Sequence, residues 1–373
     1  MIRVLHVIDS LDLGGAQTLL LDLCRHADRS RFEAEVACMH GPGVFAVEFE
    51  KAGISVHVLS PSTWPPKYIP NFLRLIARRD PDIIHFHLFG SNFVAKPLAA
   101  LVGKRALIVH DHTNAESRLN SAFLLVADTL TNRFSTRVIA VAESVRQLLI
   151  EREGLCENRV ITLPNGIDAE MFLPATLEQR KTARASLKLQ EDAFVVGGVG
   201  RLAEVKNLKV FLEAAAGVLN RHPRAVFVIA GTGPLETVLR ELAVSLGIAD
   251  SVFFLGHISD RVELYGALDV LLITSDSEGT PMTLLEAMAC GLPVVSSSVG
   301  GISEVATNEG DALLVAARDV QGFVSALERV LGEEELARKL GANARTTILE
   351  GYEIRGLVRR IEELYESVLE EQQ

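Results

Sequence analysis

Apolar residues along this chain follow two alternating patterns: short runs rich in Val, Ile and Leu, and longer stretches where apolar positions return every three or four residues. A short β-branched run bounded by turn residues predicts a strand buried on both faces, and the longer period predicts an amphipathic helix. Runs at 3–8, 34–39, 55–59, 83–87, 106–109, 137–141 and 160–163 predict strands, with helical patterns at 16–26 and 143–153 among them. The grammar then restarts, with strands predicted at 194–199, 225–230, 252–255, 270–273 and 293–296. Helices are predicted near 208–220, 235–246, 283–289 and 320–331. Strands alternating with helices imply βα units in a doubly wound parallel sheet, so two such series predict two α/β domains. Pro174 interrupts both patterns and places a linker at 172–178, dividing the chain into domains 1–172 and 173–351. The amphipathic stretch 352–373 predicts a final helix that either crosses back onto the first domain or stands as a solvated tail. Tandem sheets of this kind usually take their ligand in a cleft at the carboxyl ends of the strands, which puts the chemistry on loops that follow strands.

A length of 373 residues suits two domains, each with its own core. Apolar residues at 48% and charged residues at 23% exclude disorder and fibrous repeats. The net charge of −11 would repel a polyanionic backbone, so nucleic acid is not expected as a partner. Residues 1–172 hold 18 basic and 19 acidic side chains, so nearly all the excess acid belongs to 173–373. Cys24, Cys38, Cys156 and Cys290 stand far apart, with neither metal nor disulfide spacing, which fits a reducing cytoplasm. The apolar run before Asp9 is too short for a signal-peptide core, and no run approaches the length of a spanning helix.

Several motifs carry chemistry. Gly14 and Gly15 follow the first predicted strand and open a helix, where an anion can approach backbone amides, although a lone Gly-Gly also suits an ordinary tight turn. Gly198-x-Gly200-x-x-Ala203 superficially matches a dinucleotide fingerprint, but the acid expected about 20 residues later is missing. That loop instead carries Arg201 and Lys206, two cations suited to a diphosphate. The segment 277–295 places Glu278 on a Gly-containing loop, Pro281 at a helix start and Glu286 inside the helix. Amides of Gly279, Thr280 and Met282 would donate to a ligand there, and the two carboxylates would accept from hydroxyls. Cations for phosphates and carboxylates for hydroxyls together describe a sugar nucleotide; alone, each would suit a surface charge, a cap or a salt bridge. Two H-x-H pairs, His85 with His87 and His110 with His112, invite a metal reading, yet no third and fourth ligand is assignable, so no metal is expected. Asp80-Pro-Asp82 precedes a strand and reads as a turn rather than a metal-holding D-x-D.

Taken together, GGAQ at 14–17, PDIIHFH at 81–87, PNGID at 164–168, GRLAEVKN at 200–207, GTG at 231–233 and EGTPMTLLEAMACGLPVV at 278–295 resemble the retaining glycosyltransferases of family four. The resemblance runs through nearly the whole chain. It implies the GT-B fold, two Rossmann-like doubly wound domains facing a central cleft, the first on the acceptor side and the second holding the donor. It implies transfer of a hexosyl or N-acetylhexosaminyl group from a nucleotide-sugar donor with retained configuration, without an essential metal or other cofactor. Arg201 and Lys206 would then bind the diphosphate and stabilise it as leaving group, with the Gly15 amide beside it. Glu286 would hold the ribose, Glu278 with the amides of Gly279, Thr280 and Met282 the donor sugar, beside Pro281, and His112 would contact that sugar from the first domain, with His110 close in register. Backbone atoms of Gly256 and Ile258 would hold the base.

The acceptor would be a carbohydrate, a lipid-linked sugar or a small molecule. Residues 67–79 mix Phe72, Leu73, Leu75 and Ile76 with Lys67, Arg74, Arg78 and Arg79, which suits either an ordinary surface helix or peripheral contact with an anionic membrane at the inner face. Two alternatives stand beside transfer: a GT-B epimerase acting on a sugar nucleotide, and a non-catalytic subunit that only binds one.

Overall fold

In the computed structural model, described for residues 1–12, 14–60, 68–112, 126 and 129–372, every strand pairs in parallel. The first sheet comprises β1 (Ile2–Ile8), β2 (Phe32–Cys38), β3 (Ser55–Val58), β4 (Ile83–His87), β5 (Leu107–Asp111), β6 (Arg137–Ala140) and β7 (Val160–Thr162). Its strand order is β3-β2-β1-β4-β5-β6-β7. The second sheet comprises β8 (Phe194–Val199), β9 (Ala225–Ala230), β10 (Val252–Gly256), β11 (Val270–Ile273), β12 (Val294–Ser297) and β13 (Leu313–Val315), in the order β10-β9-β8-β11-β12-β13. Each order runs one way from its first strand and then reverses, between β1 and β4 and between β8 and β11. Loops leaving the carboxyl ends of those two pairs diverge and open a crevice, the usual ligand position in an open α/β sheet.

Most predicted strands lie within a residue or two of the observed ones. Strand β13 was missed because Leu313–Val315 is only three residues long and gives too little periodicity to read. The compact units are residues Met1–Gly166 with Ile354–Gln373, and Ile167–Glu353, so the division falls before the predicted linker. Residues 172–176 are not a free linker. Phe172 is buried, its ring lies 6.2 Å from that of Tyr265, and its carbonyl accepts from Arg345 at 3.0 Å. Thr176 caps helix Leu177–Ser186 in a reciprocal capping box with Gln179.

The last helix, Ile354–Glu370, belongs to the first unit. Its Ile354, Leu357, Val358, Ile361, Tyr365 and Val368 are buried, Glu362 accepts from the Asp28 amide at 2.7 Å, and Glu366 pairs with Arg31. Helix Tyr68–Arg79 turns Tyr68, Phe72 and Ile76 into the core of the same unit and leaves Arg74, Arg78 and Arg79 exposed. This is ordinary amphipathic packing; Lys67 lies outside the described residues. Asp80 and Asp82 precede β4 and are spent on Lys104 and Arg3. Cys24, Cys38 and Cys290 are buried free thiols and Cys156 is exposed. No described helix is long and apolar enough to cross a membrane.

Candidate functional site

In the second unit the predicted residues gather on four loops that leave the same end of the sheet. After β8, Gly200 at φ +148 turns the chain, Leu202 plugs the core, and Arg201 stays exposed without an ion pair to any described residue. After β9, Gly231 at φ +140 lies so close to this loop that an added Cβ would stand 1.9 Å from the Gly200 carbonyl oxygen. A Cβ on Gly233 would stand 2.4 Å from the Leu202 oxygen. Backbone thus stacks on backbone, stitched by Leu202 N–H to Thr232 O at 3.0 Å and Leu235 N–H to Leu202 O at 3.2 Å. Both glycines are required by this close approach. After β10, Gly256 at φ +67 accepts from the Gly231 amide at 2.7 Å, so that carbonyl is already engaged, while Ile258 is half-buried on the same loop.

The β8 and β11 loops meet where the strand order reverses. Lys206 Nζ donates to Glu278 Oε1 at 2.6 Å, and Ser275 Oγ donates to the same oxygen at 2.5 Å. Glu278 is only 9% exposed, so the lysine beside it is what makes burying the carboxylate tolerable. The backbone at this corner is fixed by Thr274 Oγ1, which donates to the Lys206 and Asn207 carbonyls, each at 3.1 Å. Asn207, in the left-handed region at φ +44, donates to Asp276 at 2.9 Å. Arg318 also binds Asp276 and holds its carboxyl below the usual range. Gly279, Thr280 and Pro281 are buried on the approach to helix Met282–Ala289, whose N-cap is Pro281 and whose first turn carries no acid. That leaves the positive end of the helix dipole uncompensated by its own side chains.

Glu286 departs from a simple open site. It is fully buried one turn into that helix, with one oxygen paired to Arg261 and the other accepting from the Tyr265 hydroxyl at 2.8 Å. Burial, and then the adjacent carboxylate, push the Tyr265 phenol well above its ordinary value. Arg261 and Tyr265 share helix Arg261–Ala267, at a spacing of one turn. Neither was found from sequence, because only the fold brings that helix against Met282–Ala289. A ribose reaching Glu286 would have to share it with Arg261.

In the first unit, Gly14 is the N-cap of helix Gly15–His26, whose first turn carries no acid, and both glycines are exposed. Beside it, Asp9 at the end of β1 accepts from the Gly90 and Ser91 amides at 2.9 and 2.5 Å, which joins the β1 and β4 loops across the reversal point. Burial raises the Asp9 carboxyl, and those two amides oppose the rise.

His112 follows β5, and its Nε2 lies 3.1 Å from His87 Nδ1. Burial lowers it to about 4, so it is neutral at pH 7. Sequence reading left the two H-x-H pairs without a third ligand. The structure supplies one, His6 on β1, whose Nδ1 is 3.0 Å from His87 Nε2. Which histidines stand together is thus set by strand order and not by spacing along the chain. The available signal was a histidine interrupting the apolar run of β1, but which strand lies next to β1 is a matter of topology.

Residues 13–171 match the family described as Glycosyltransferase Family 4, and residues 179–347 match Glycosyl transferases group 1. The chain is 28% identical over 306 residues to UDP-Gal:alpha-D-GlcNAc-diphosphoundecaprenol alpha-1,3-galactosyltransferase of Escherichia coli, covering 80% of this chain and 79% of that protein. It is 35% identical over 301 residues to D-inositol 3-phosphate glycosyltransferase of Saccharomonospora viridis, covering 73% of this chain and 68% of that one. Among solved structures, Anabaena Alr3699/HepE in complex with UDP-glucose superimposes with a TM-score of 0.89 at 22% identity, covering 98% of this chain and 100% of that chain. WaaG, a glycosyltransferase involved in lipopolysaccharide biosynthesis, superimposes with a TM-score of 0.77 at 15% identity, covering 97% and 99%. The shared fold is GT-B.

Proposed function

The chain belongs to the glycosyltransferases, family four in its first half and group 1 in its second, and from that membership we propose that it moves a sugar from a nucleotide-sugar donor to a carbohydrate or lipid-linked acceptor with retained configuration and without an essential metal. The observation that carries this reading is the Lys206–Glu278 pair at the β8–β11 reversal. It sets a cation for phosphate beside a carboxylate for sugar hydroxyls, next to an uncompensated helix N-terminus.

Arg201 and Lys206 bind the donor diphosphate. As the bond between the anomeric carbon and the phosphate oxygen breaks, its electron pair stays with that oxygen, and the two cations stabilise the growing charge. An acceptor hydroxyl attacks the anomeric carbon from the face the phosphate is leaving, and its proton passes to the departing phosphate oxygen. Stereochemistry is thereby retained with no general base on the acceptor side. Glu278 and the amides of Gly279, Thr280 and Met282 hold the sugar. Glu286 shares its carboxylate between Arg261 and the ribose, and the loop of Gly256 and Ile258 faces the base. Gly15 and His112 belong to the first unit, and the part of His112 is tested by its own variant.

The test is a calorimetric screen of nucleotide sugars, beginning with UDP-hexoses because the E. coli relative's name gives UDP-Gal as its donor. NMR of the first-formed product follows. An α-linked product from an α-linked donor, with turnover that persists in excess EDTA, is the expected result. A β-linkage refutes retention, and activity lost in EDTA and restored by Mg²⁺ or Mn²⁺ refutes the cation-only account. Epimerised donor in the absence of acceptor, or binding without transfer across a broad acceptor screen, would replace transfer with one of the two alternative activities.

A further inference from the structure

Five of the ten histidines lie on one face of the first sheet. Parallel register sets His6 beside His85 and His87 beside His110, and alternation along β4 and β5 adds the others to the same side. His6 is 4% exposed, and His85, His87 and His110 are fully buried. Two triads have ligand atoms within 4.8 Å of one another: His6, His85 and His87, and His87, His110 and His112.

The first triad has the features of a ligand set. His6 Nδ1 and His87 Nε2 are 3.0 Å apart, close to the roughly 3.3 Å between neighbouring nitrogens on a tetrahedral zinc at about 2.0–2.1 Å from each. The remote nitrogens are also held, His85 Nδ1 by the Tyr365 hydroxyl at 2.6 Å and His87 Nδ1 by His112 Nε2 at 3.1 Å. Outer partners of this kind fix the tautomer and orientation of metal-bound imidazoles. His85 Nε2, by contrast, is buried and has no hydrogen-bond partner; His110 and His112 Nδ1 in the second triad also lack partners, but there His110 has no outer partner at either nitrogen to fix its ring. A hydrogen bond between His6 and His87 accounts for their own contact and leaves His85 Nε2 unexplained; a cation between the three rings accounts for all of them. Beside His6 lies a small, mostly apolar cavity, lined also by Leu23, Phe32, Val358 and Tyr365.

We propose that His6 Nδ1, His85 Nε2 and His87 Nε2 bind one borderline transition-metal ion of the zinc class. Imidazole sets select Zn²⁺, Co²⁺, Ni²⁺ or Cu²⁺ over the oxygen-seeking Mg²⁺ and Ca²⁺. Such an ion ties β1 to β4 and, through Tyr365, to the final helix, so its role is structural, and it reaches the transfer chemistry only through the His87–His112 contact. It is therefore compatible with turnover that needs no added Mg²⁺.

The full-length protein is stripped with a chelator and titrated with Co²⁺, followed by visible absorption, then with Zn²⁺, followed by calorimetry and thermal melting. One Co²⁺ per chain with four-coordinate ligand-field bands, displaced by Zn²⁺, and a higher melting temperature on loading are expected. His85→Ala and His87→Ala abolish the bands. Tyr365→Phe, which removes one hydroxyl, weakens affinity by about 10–100-fold, and His222→Ala, outside the cluster, changes nothing. If the alanine variants fail to fold by circular dichroism, the wild-type titration and Tyr365→Phe decide. No four-coordinate Co²⁺ in the wild type overturns the proposal. So does wild-type affinity in Tyr365→Phe, or binding that survives His6→Ala but is lost in His110→Ala.

Discussion

The two sheets share a topology and differ in what they bury at the reversal of strand order. In the second unit that point holds charge: Lys206 on Glu278, Arg318 on Asp276, and nearby Arg261 on Glu286. In the first unit, Asp9 is clamped by two backbone amides, and beside it lies a face of imidazoles that burial keeps neutral. A parallel sheet thus supplies the same loop geometry twice, and the side chains at the strand ends decide whether it handles charge or neutral hydrogen-bonding groups. The contrast also shows how little net charge says locally. The second half carries nearly all the excess acid, on exposed side chains such as Glu333, Glu334 and Glu335, while its loops gather cations.

The largest expected effect tests whether charge in the second unit drives the chemistry. Lys206→Ala and Arg201→Ala should each lower turnover at saturating donor by about 10²–10³-fold, because each removes a donor aimed at developing negative charge. His112→Ala, which removes one neutral hydrogen-bonding group, should cost only about 3–10-fold. Steady-state kinetics separates the two, and equal losses would erase the distinction between the units.

Next in size is the loop scaffold. Gly231→Ala places a methyl group 1.9 Å from the Gly200 oxygen at a φ that L-residues rarely adopt, and should destabilise the second unit by about 2–4 kcal/mol. Denaturant unfolding measures this. A neutral result would mean that the loops after β8 and β9 are not locked together.

Glu286→Ala sharpens the charge side of the contrast. It leaves the buried Tyr265 hydroxyl only the Thr283 carbonyl at 3.4 Å, costing about 1–3 kcal/mol of stability, and should also raise the donor dissociation constant about tenfold. Glu286→Gln, which can still accept from Tyr265, recovers stability without full affinity. If calorimetry finds the donor constant unchanged in Glu286→Ala, the carboxylate is a structural partner of Arg261 and the ribose assignment falls.

The remaining effect is read against pH rather than against a substitution, and it belongs to the neutral face. In the folded chain His6 is lowered to about 3 and His112 to about 4, both by burial. The unfolded chain therefore takes up protons first, and stability in chelated protein should fall as pH drops from about 6.5 toward 4. The slope is at most about 1.4 kcal/mol per pH unit for each histidine. Hydrogen exchange at pH 7 and pH 5 should show amides of β1, β4 and β5 losing protection before those of β8 and β11. Uniform loss across both sheets would remove this difference between the units.

What the sequence by itself determined is what local chemistry enforces. Continuous β-branched runs can only be strands covered on both faces, so β4, β8, β9 and β11 were legible to the residue; Arg201, Lys206 and Glu278 stood out because glycines punctuate their loops, and Glu286 because Pro281 opens its helix. Tertiary structure decided what depends on which strand lies beside which. The pairing of β1 with β4 brought His6 to His87, and the packing of helix Arg261–Ala267 on Met282–Ala289 gave Glu286 its two partners. The sequence separation of 334 between Asp28 and Glu362 was closed when the last helix folded onto the first unit. Periodicity is a property of neighbours in sequence, whereas these contacts arise between residues whose separation along the chain bears no relation to their distance in the fold.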